Sequence, residues 1–373
     1  MFLAIRELKH SKWRFAMIGS ILILISWLVF ILSGLGNGLS TLSAATFQKM
    51  DAQYVAFEDG ARHSMSRSVI SENLVTELKE FEGVEDAAVM GSNVAVVLKE
   101  GHEDDHEKID VSILGITPGS FLEPEVIEGE ALSDSGNFKA IVNHTIKDDG
   151  INVGDTLEIE GSTEVIEVIG FVEGESFNHL PAIFIHIDDW RSIQFAAPGS
   201  EKGTELPVNA IMLQGENIEQ DKLNGAFDEI EIATKQEAIN GIPGYTAENG
   251  TIMMMLGFLF VISAFVIGVF FYVLTLQKAN QFGVMKAIGA SNLFLTKAIV
   301  SQITLLATVS IGIGVLLTYL TAAIFPEGMP FALDTTLVIT YAIILLAVSV
   351  LSSLISVRRI TKIDPLIAIG RVE

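Results

Sequence analysis

Cysteine is absent from the 373 residues, which excludes a disulfide framework, thiol chemistry and a lipoprotein anchor. No Gly-Lys pair occurs, so there is no phosphate-cradling loop of the GxxxxGK[ST] form and no ATPase site of that kind. Positive charge is scarce: 23 Lys and Arg stand against 46 Asp and Glu. Such an acidic chain repels nucleic acid, whose binding needs basic groups to neutralise phosphates. Four stretches contain no Asp, Glu, Lys, Arg or His: residues 15–35, 252–276, 298–325 and 337–357. Proton-coupled transporters commonly rely on ionisable groups inside the membrane. These stretches offer no machinery for that coupling, so the energy for any transport has to come from a partner.

What is present is apolar surface. Half of the residues are hydrophobic and the mean hydropathy is +0.48, values of a membrane protein rather than a large soluble enzyme. The four uncharged stretches have 21, 25, 28 and 21 residues, and about 20 suffice to cross a bilayer core as a helix. Charge assigns the sides. Residues 1–14, 277–297 and 358–373 hold eleven Lys and Arg against three acids, whereas residues 36–250 hold twelve against 41. Short basic segments stay in the cytoplasm. The expected fold is therefore a multi-pass cell-membrane protein with four transmembrane α-helices and a large α+β extracytoplasmic domain, residues 36–250, between helices 1 and 2. Both termini are expected in the cytoplasm, with membrane lipid around the spans.

Residues 1–14 pair Phe2, Leu3, Ile5 and Leu8 with Arg6, Lys9, Lys12 and Arg14, the pattern of a basic amphipathic helix at a membrane face. A cleaved signal peptide is the competing reading, since Ser43-Ala44-Ala45 mimics a cleavage site, but the apolar run exceeds an ordinary h-region. Gly34 and Gly38 form a GxxxG that permits close helix approach, or else a flexible exit from the membrane. Within the domain, Ser71–Phe81 reads as a helix with Ser71 as N-cap, and 217–230 as a second helix. Residues 94–98, 111–116 and 139–142 read as strands, and 151–174 alternates around a Gly-Ser turn as a hairpin. A second lobe inserted near residues 109–208 is expected. His102-Glu103-Asp104-Asp105-His106 matches the HExxH metalloprotease pattern. Its all-acidic interior and the lack of apolar support favour a solvated loop instead.

The loop of residues 277–297 carries Lys278, Lys286 and Lys297 and no acid. Phe282, Val284, Met285 and Ile288 repeat there at roughly helical spacing, interrupted by Gly283 and Gly289. This is either a short amphipathic helix offering a face to a cytoplasmic partner, or a helix that merely caps two spans. Gln281 to Ser291, QFGVMKAIGAS, resembles the coupling segment of the MacB/FtsX-type ABC transporter permeases, whose common form is Glu-Ile-Gly-Ile-Arg-Lys-Ala-Leu-Gly-Ala. Gly283, Lys286, Ala287, Gly289 and Ala290 match; Gln281 replaces the acid and Met285 a basic residue. The tail IDPLIAIG, residues 363–370, is similar to the family's Asp-Pro-Ile-Glu-Ala-Leu ending, with Ile367 in place of Glu.

The resemblance implies a permease subunit with no ATPase site of its own. A separate ABC ATPase would dock on Gln281, Phe282, Gly283, Val284, Met285, Lys286, Ala287, Gly289 and Ala290. Residues 245–256, 270–289 and 329–331 are most similar to the hemin-exporting (HrtB-like) permeases within that family. Those permeases pair as homodimers with two ATPases, and heme would be a transported substrate rather than a resident cofactor. The resemblance carries over no heme ligands. From residue chemistry alone, Met50, Met253, Met254 and Met255 are soft-ligand candidates, since thioether sulfur ligates haem iron; flexible apolar packing is their alternative. Glu248 is a further candidate, against plain interfacial solvation. The acidic domain suits a cationic peptide better than an anionic heme, or else serves solubility, so export of or resistance to cationic peptides or lipids is an alternative. A non-transporting role, passing ATPase movement to an external partner, is a reading of another class.

The charge distribution makes a direct prediction. Single cysteines introduced at Ser92 and Ser162 should react with an impermeant maleimide in intact cells. Those at Ser291 and Thr361 should react only once the membrane is opened, and external labelling at Ser291 would overturn the assignment of the loop.

Overall fold

The computed structural model describes residues 12–101, 108–133, 136–197, 203–277, 279–326 and 329–360. The His102–His106 motif, the tail motif at 363–370 and most of the basic N-terminal segment lie outside them. The chain divides into two compact units: Met1–Gly38 with Gly250–Glu373, and Leu39–Asn249.

The first unit is helical. Its long helices are α1 (Lys12–Lys49, which continues into the second unit), α6 (Tyr245–Gln277, which begins there), α8 (Asn292–Ala322) and α9 (Thr335–Ile360). All four are long and apolar enough to cross a membrane. A membrane core supplies no water to backbone polar groups, so a helix that bonds internally is one of the few ways across. The same constraint governs the side chains. Ser263, Thr304, Thr318, Thr321 and Ser349 each donate a hydroxyl to the carbonyl four residues back. A polar contact joins α1 to α8: Trp27 Nε1 donates to Thr321 Oγ1 at 3.1 Å. α1 and α8 also approach closely nearby, where a Cβ on Gly314 would collide with Ser26. Phe30, Ile267, Phe271, Ile303 and Leu345 fill the core of this unit.

The second unit is an α/β domain built on β1 (Tyr54–Glu58), β2 (Ile70–Ser71), α2 (Leu74–Lys79), β3 (Asp86–Lys99), β4 (Ile109–Ile116), β5 (Val126–Gly129) and β6 (Lys139–Asn143). It continues with β7 (Thr156–Ile159), β8 (Val165–Val172), β9 (Ser176–Phe177), β10 (Leu180–His186) and α3 (Ile187–Gln194). β11 (Pro207–Val208), β12 (Ala210–Gln214), α4 (Gln220–Ala226), β13 (Ile230–Thr234) and α5 (Lys235–Gly241) complete it. Among the described residues, eleven strands join in the order β13-β1-β12-β3-β4-β10-β6-β8-β5, with β7 bridging β3 and β8, and β9 on β10. That bridge closes β3, β4, β10, β6, β8 and β7 into a ring. Val97, Val111, Ile113, Val142, Leu157, Ile166 and Ile183 belong to the core it encloses. Alternate residues of the same strands, such as Met90, Leu114 and Phe184, belong to a second core that includes Phe47 of α1. Burial on both faces explains why these strands read as continuous apolar runs.

β3 is long enough to serve both the ring and the open part of the sheet: it pairs with β12 through Asp86–Met90, with β4 through Met90–Val97 and with β7 through Val97–Lys99. The two expected lobes therefore share one sheet. Two expected helices are shorter than their patterns. Ser71 does not cap the first; it pairs with Pro207 in a two-stranded β2–β11 ladder, and α2 starts only at Leu74. The second ends at Ala226, because Ile230 enters β13. The expected hairpin is β7–β8, paired from Thr156–Glu167 to Glu158–Val165.

Trp190 of α3 is buried on a glycine pair. Gly91 and Gly115 face each other across β3 and β4, and a Cβ on either would run into the indole. The ring's Nε1 donates to Asn93 Oδ1 at 2.9 Å. Beside it, Asp189 accepts from the Phe138 amide at 2.9 Å, and burial pushes its carboxyl above the usual carboxylate range. Trp190→Ala should destabilise the domain by about 3–5 kcal/mol, read as thermal unfolding of the purified chain. Gly91→Val should cost a similar amount, and the double variant should cost clearly less than the sum, because both changes remove one contact. Additive losses would sink this account.

Candidate functional site

The segment that resembles a coupling loop is a helix, a stop and a restart. α7 (Ala279–Ala287) ends in a Schellman motif: Gly289 N donates to Lys286 O at 3.0 Å, and Ala290 N to Met285 O at 2.9 Å. That closure needs a left-handed residue, and Gly289 has φ +100. Nothing lies within 4 Å of a Cβ built there, so in this unit the glycine serves the turn rather than a tight contact. Ser291 then caps α8, its hydroxyl accepting from Phe294 N at 3.2 Å. The sequence Ile-Gly-Ala-Ser thus encodes the reversal between two helices.

This reversal sorts the side chains. Met285 and Ala290 pack inward against the helical core, and Gly283 is buried. Val284, Leu293 and Phe294 are more than half exposed, and Ile288 is 80% exposed. Gln281 and Ala287 are also exposed, while Lys286 is half-buried; the Phe282 side chain lies outside the described set. An apolar surface of Val284, Ile288, Leu293 and Phe294 therefore stands on this segment. Sequence reasoning picked out Val284 and missed Leu293 and Phe294, although their place in the first turn after a serine cap was a usable signal.

Gly34 and Gly38 have a different partner from a second helix. A Cβ on Gly34 would strike the Phe331 ring, and one on Gly38 the Pro330 backbone. Asn37 Nδ2 donates to Ala332 O at 3.1 Å, and Ala332 N to Gly34 O at 3.0 Å. The Met-Pro-Phe segment before α9 is thus laid along the glycine face of α1. Met253, Met254 and Met255 are exposed on α6. Met50 is buried in the second core of the α/β domain, with its carbonyl accepting from Lys235 Nζ at 2.6 Å. Lys235 also donates to Gln48 O, so it caps the C-terminal end of α1, and burial pushes its ammonium below the usual lysine range.

Glu248 is paired rather than merely solvated. Its Oε2 lies 3.1 Å from His179 Nε2, which is 2.8 Å from Ser43 Oγ. The turn that carries His179 is itself fastened to α1: Asn178 N donates to Ser43 O and His179 N to Leu42 O. Tyr245 OH and Ser40 Oγ, 3.0 Å apart, extend the cluster. His179 has no local sequence signal, because its partners are more than sixty residues away in either direction. Among the described residues no group of three His, Cys, Asp or Glu side chains is arranged to hold a metal ion.

Residues 253–365 match the family model described as FtsX-like permease C-terminal. The chain is 25% identical over 374 residues, covering all of both chains, to a Staphylococcus haemolyticus protein that bears the name hemin transport system permease HrtB. It is 24% identical to a Staphylococcus epidermidis protein of the same name, over 99% of both chains. An ABC transporter permease of Mycobacterium tuberculosis, uncharacterized, is 22% identical over 99% of both. Among solved structures, the periplasmic region of MacB from Actinobacillus actinomycetemcomitans aligns with 51% of this chain and 92% of its own, at 12% identity and a TM-score of 0.37. The extracellular domain of the transporter YknZ aligns with 48% of this chain and 99% of its own, at 15% identity and a TM-score of 0.35. The chain thus carries an FtsX-like permease C-terminal domain over residues 253–365, together with four helices apolar enough to cross a membrane and an α/β domain between the first two.

Proposed function

We propose that the chain is the membrane subunit of an ABC-type exporter that moves hemin out of the lipid, driven by a separate ATPase. The observation that carries this reading is similarity along the whole chain to permeases named for hemin transport. Physical chemistry agrees with it. Hemin combines an apolar ring, which favours lipid, with carboxylates that favour the interface, and spans free of charge suit lateral entry from the membrane. In this reading the α/β domain lies outside the cell, both termini lie inside, and two permeases work with two ATPase subunits. Met253, Met254 and Met255 are soft ligands for the iron at the outer end of α6, and Glu248 is a carboxylate in the same helix's first turn.

The ATPase docks on the exposed surface of Val284, Ile288, Leu293 and Phe294 rather than on Met285, which is needed for packing. The acidic balance of residues 36–250 favours a second reading, export of a cationic peptide, which the same assay addresses.

Hemin should stimulate ATP hydrolysis by the reconstituted complex, whereas cationic peptides should not; the reverse result overturns the hemin reading. The permease alone should shift the hemin Soret band relative to empty micelles. Changing Met253, Met254 and Met255 together to leucine should weaken that shift while leaving the fold intact, since Met-to-Leu swaps usually cost under about 1.5 kcal/mol. An unchanged spectrum would eliminate the methionines alone.

Ile288→Asp and Phe294→Asp should each abolish stimulation at least tenfold with normal membrane insertion. Met285→Asp should instead lower the amount of folded permease. Normal stimulation in both surface variants would remove this segment as the docking element.

A further inference from the structure

The loop between β1 and β2 differs in charge from the rest of the α/β domain. Residues 60–71 contain no Asp or Glu, although residues 36–250 hold 41. The loop carries Arg62, His63 and Arg67. Seven of the domain's other cations hold a carboxylate, but among the described residues neither guanidinium has an ion pair or hydrogen bond. Arg62 and His63 are both left-handed, with φ of 57 and 59, a conformation that non-glycine residues adopt only when their surroundings enforce it. Here His63 N donates to Glu231 Oε1 at 2.7 Å, and the His63 carbonyl lies against Gly241, where a side chain would collide.

His63 to Ser66, which follow Arg62 and precede Arg67 in sequence, line a cavity of about 90 Å³, and both arginines are exposed. Its other walls are mostly apolar: Phe47 stacked on Phe177 with ring centres 5.3 Å apart, Ala238 and Ile242, while Met65 adds a thioether. At roughly 30 Å³ for each water-sized group, the cavity holds about three such groups. That is room for a short run of methylenes or one edge of a ring, not for a whole ring system. Val94, half exposed, also lines it and carries the apolar surface out into solvent.

We propose that this cavity and its flanking arginines bind an anionic amphiphile, with Arg62 and Arg67 holding its carboxylate and the adjoining carbons inserted beside Phe47, Phe177 and Met65. Guanidinium forks suit a carboxylate because they donate two parallel hydrogen bonds. Two carboxylates, Glu58 and Glu231, do touch this loop, but they accept from the backbone amides of Val69 and His63 and leave both guanidiniums available to an anion on an otherwise acidic domain. The site stands independently of the hemin reading, since it concerns a carboxylate with an aliphatic body and lies wholly within residues 47–243.

The test uses the full chain in phosphatidylcholine nanodiscs and a twelve-carbon carboxylate bearing a photoreactive diazirine. Label should appear on the peptides containing residues 62–67 and 238–243, and laurate should compete at least tenfold better than methyl laurate. Arg62→Gln with Arg67→Gln should reduce that labelling at least tenfold, and Arg62→Lys with Arg67→Lys should restore most of it. Ser66→Trp, at the exposed edge of the cavity, should block labelling without removing charge. Label confined to the apolar helices, equal competition by methyl laurate, or unchanged labelling in the glutamine variant would overturn the proposal. Competition by inorganic phosphate as strong as by laurate would reduce the site to a simple anion site and overturn it as well.

Discussion

A polar group that leaves water must find a partner, and each unit of this chain meets most of that demand within itself, buried hydroxyls such as those of Thr46 and Ser353 excepted. In the helical unit the backbone is satisfied by uninterrupted helices, and many hydroxyls fold back onto the carbonyl four residues earlier. The hydrogen bond from Trp27 to Thr321 is an interhelical exception, and it sits where Gly314 lets two backbones come close. In the α/β domain the same demand is met by ladders, with β7 turning what would be two exposed strand edges into one closed ring. Where the helices stop, the freed groups are collected at once: Gly289 and Ser291 between α7 and α8, and Lys235 at the end of α1.

The features that local chemistry controls were legible in the sequence. Four uncharged runs, a basic loop, a Gly-Ser hairpin and strand-length apolar runs all reflect periodicity or composition over a few residues. The reversal at Ile288–Ser291 could be read as a break, though not as a specific turn, because its closure depends on which carbonyl each amide reaches. Features made by distant residues were not legible. Trp190 rests on Gly91 and Gly115, about 100 and 75 residues earlier in the chain. His179 reaches Glu248 only because its strand turn is fastened to α1. Ser71 has the chemistry of a helix cap, yet a β bridge to Pro207 claims it.

The candidate site shows the same division. The resemblance drew attention to residues 281–290, of which 281–287 lie in a short helix between long ones. Which of them face outward was hidden, since a nine-residue helix with apolar residues on several sides has no clear face by spacing. Packing decides it: Met285 and Ala290 close the turn inward, and the outward surface shifts toward Ile288, Leu293 and Phe294. The glycines of α1 follow suit, since the extended Pro330–Phe331 segment occupies their face.

The closed ring of strands has a kinetic consequence. An open sheet can lose its outermost strand alone, so edge amides exchange with solvent through small local openings. β13 and β5 stand at such ends. The six strands of the ring, β3, β4, β10, β6, β8 and β7, have no outermost member, and β3 pairs with β12, β4 and β7 along successive segments. Releasing any one of them breaks two ladders and floods a shared apolar interior. Their amides therefore form a single slow-exchanging cooperative unit, with a boundary that runs along β3 rather than between two lobes.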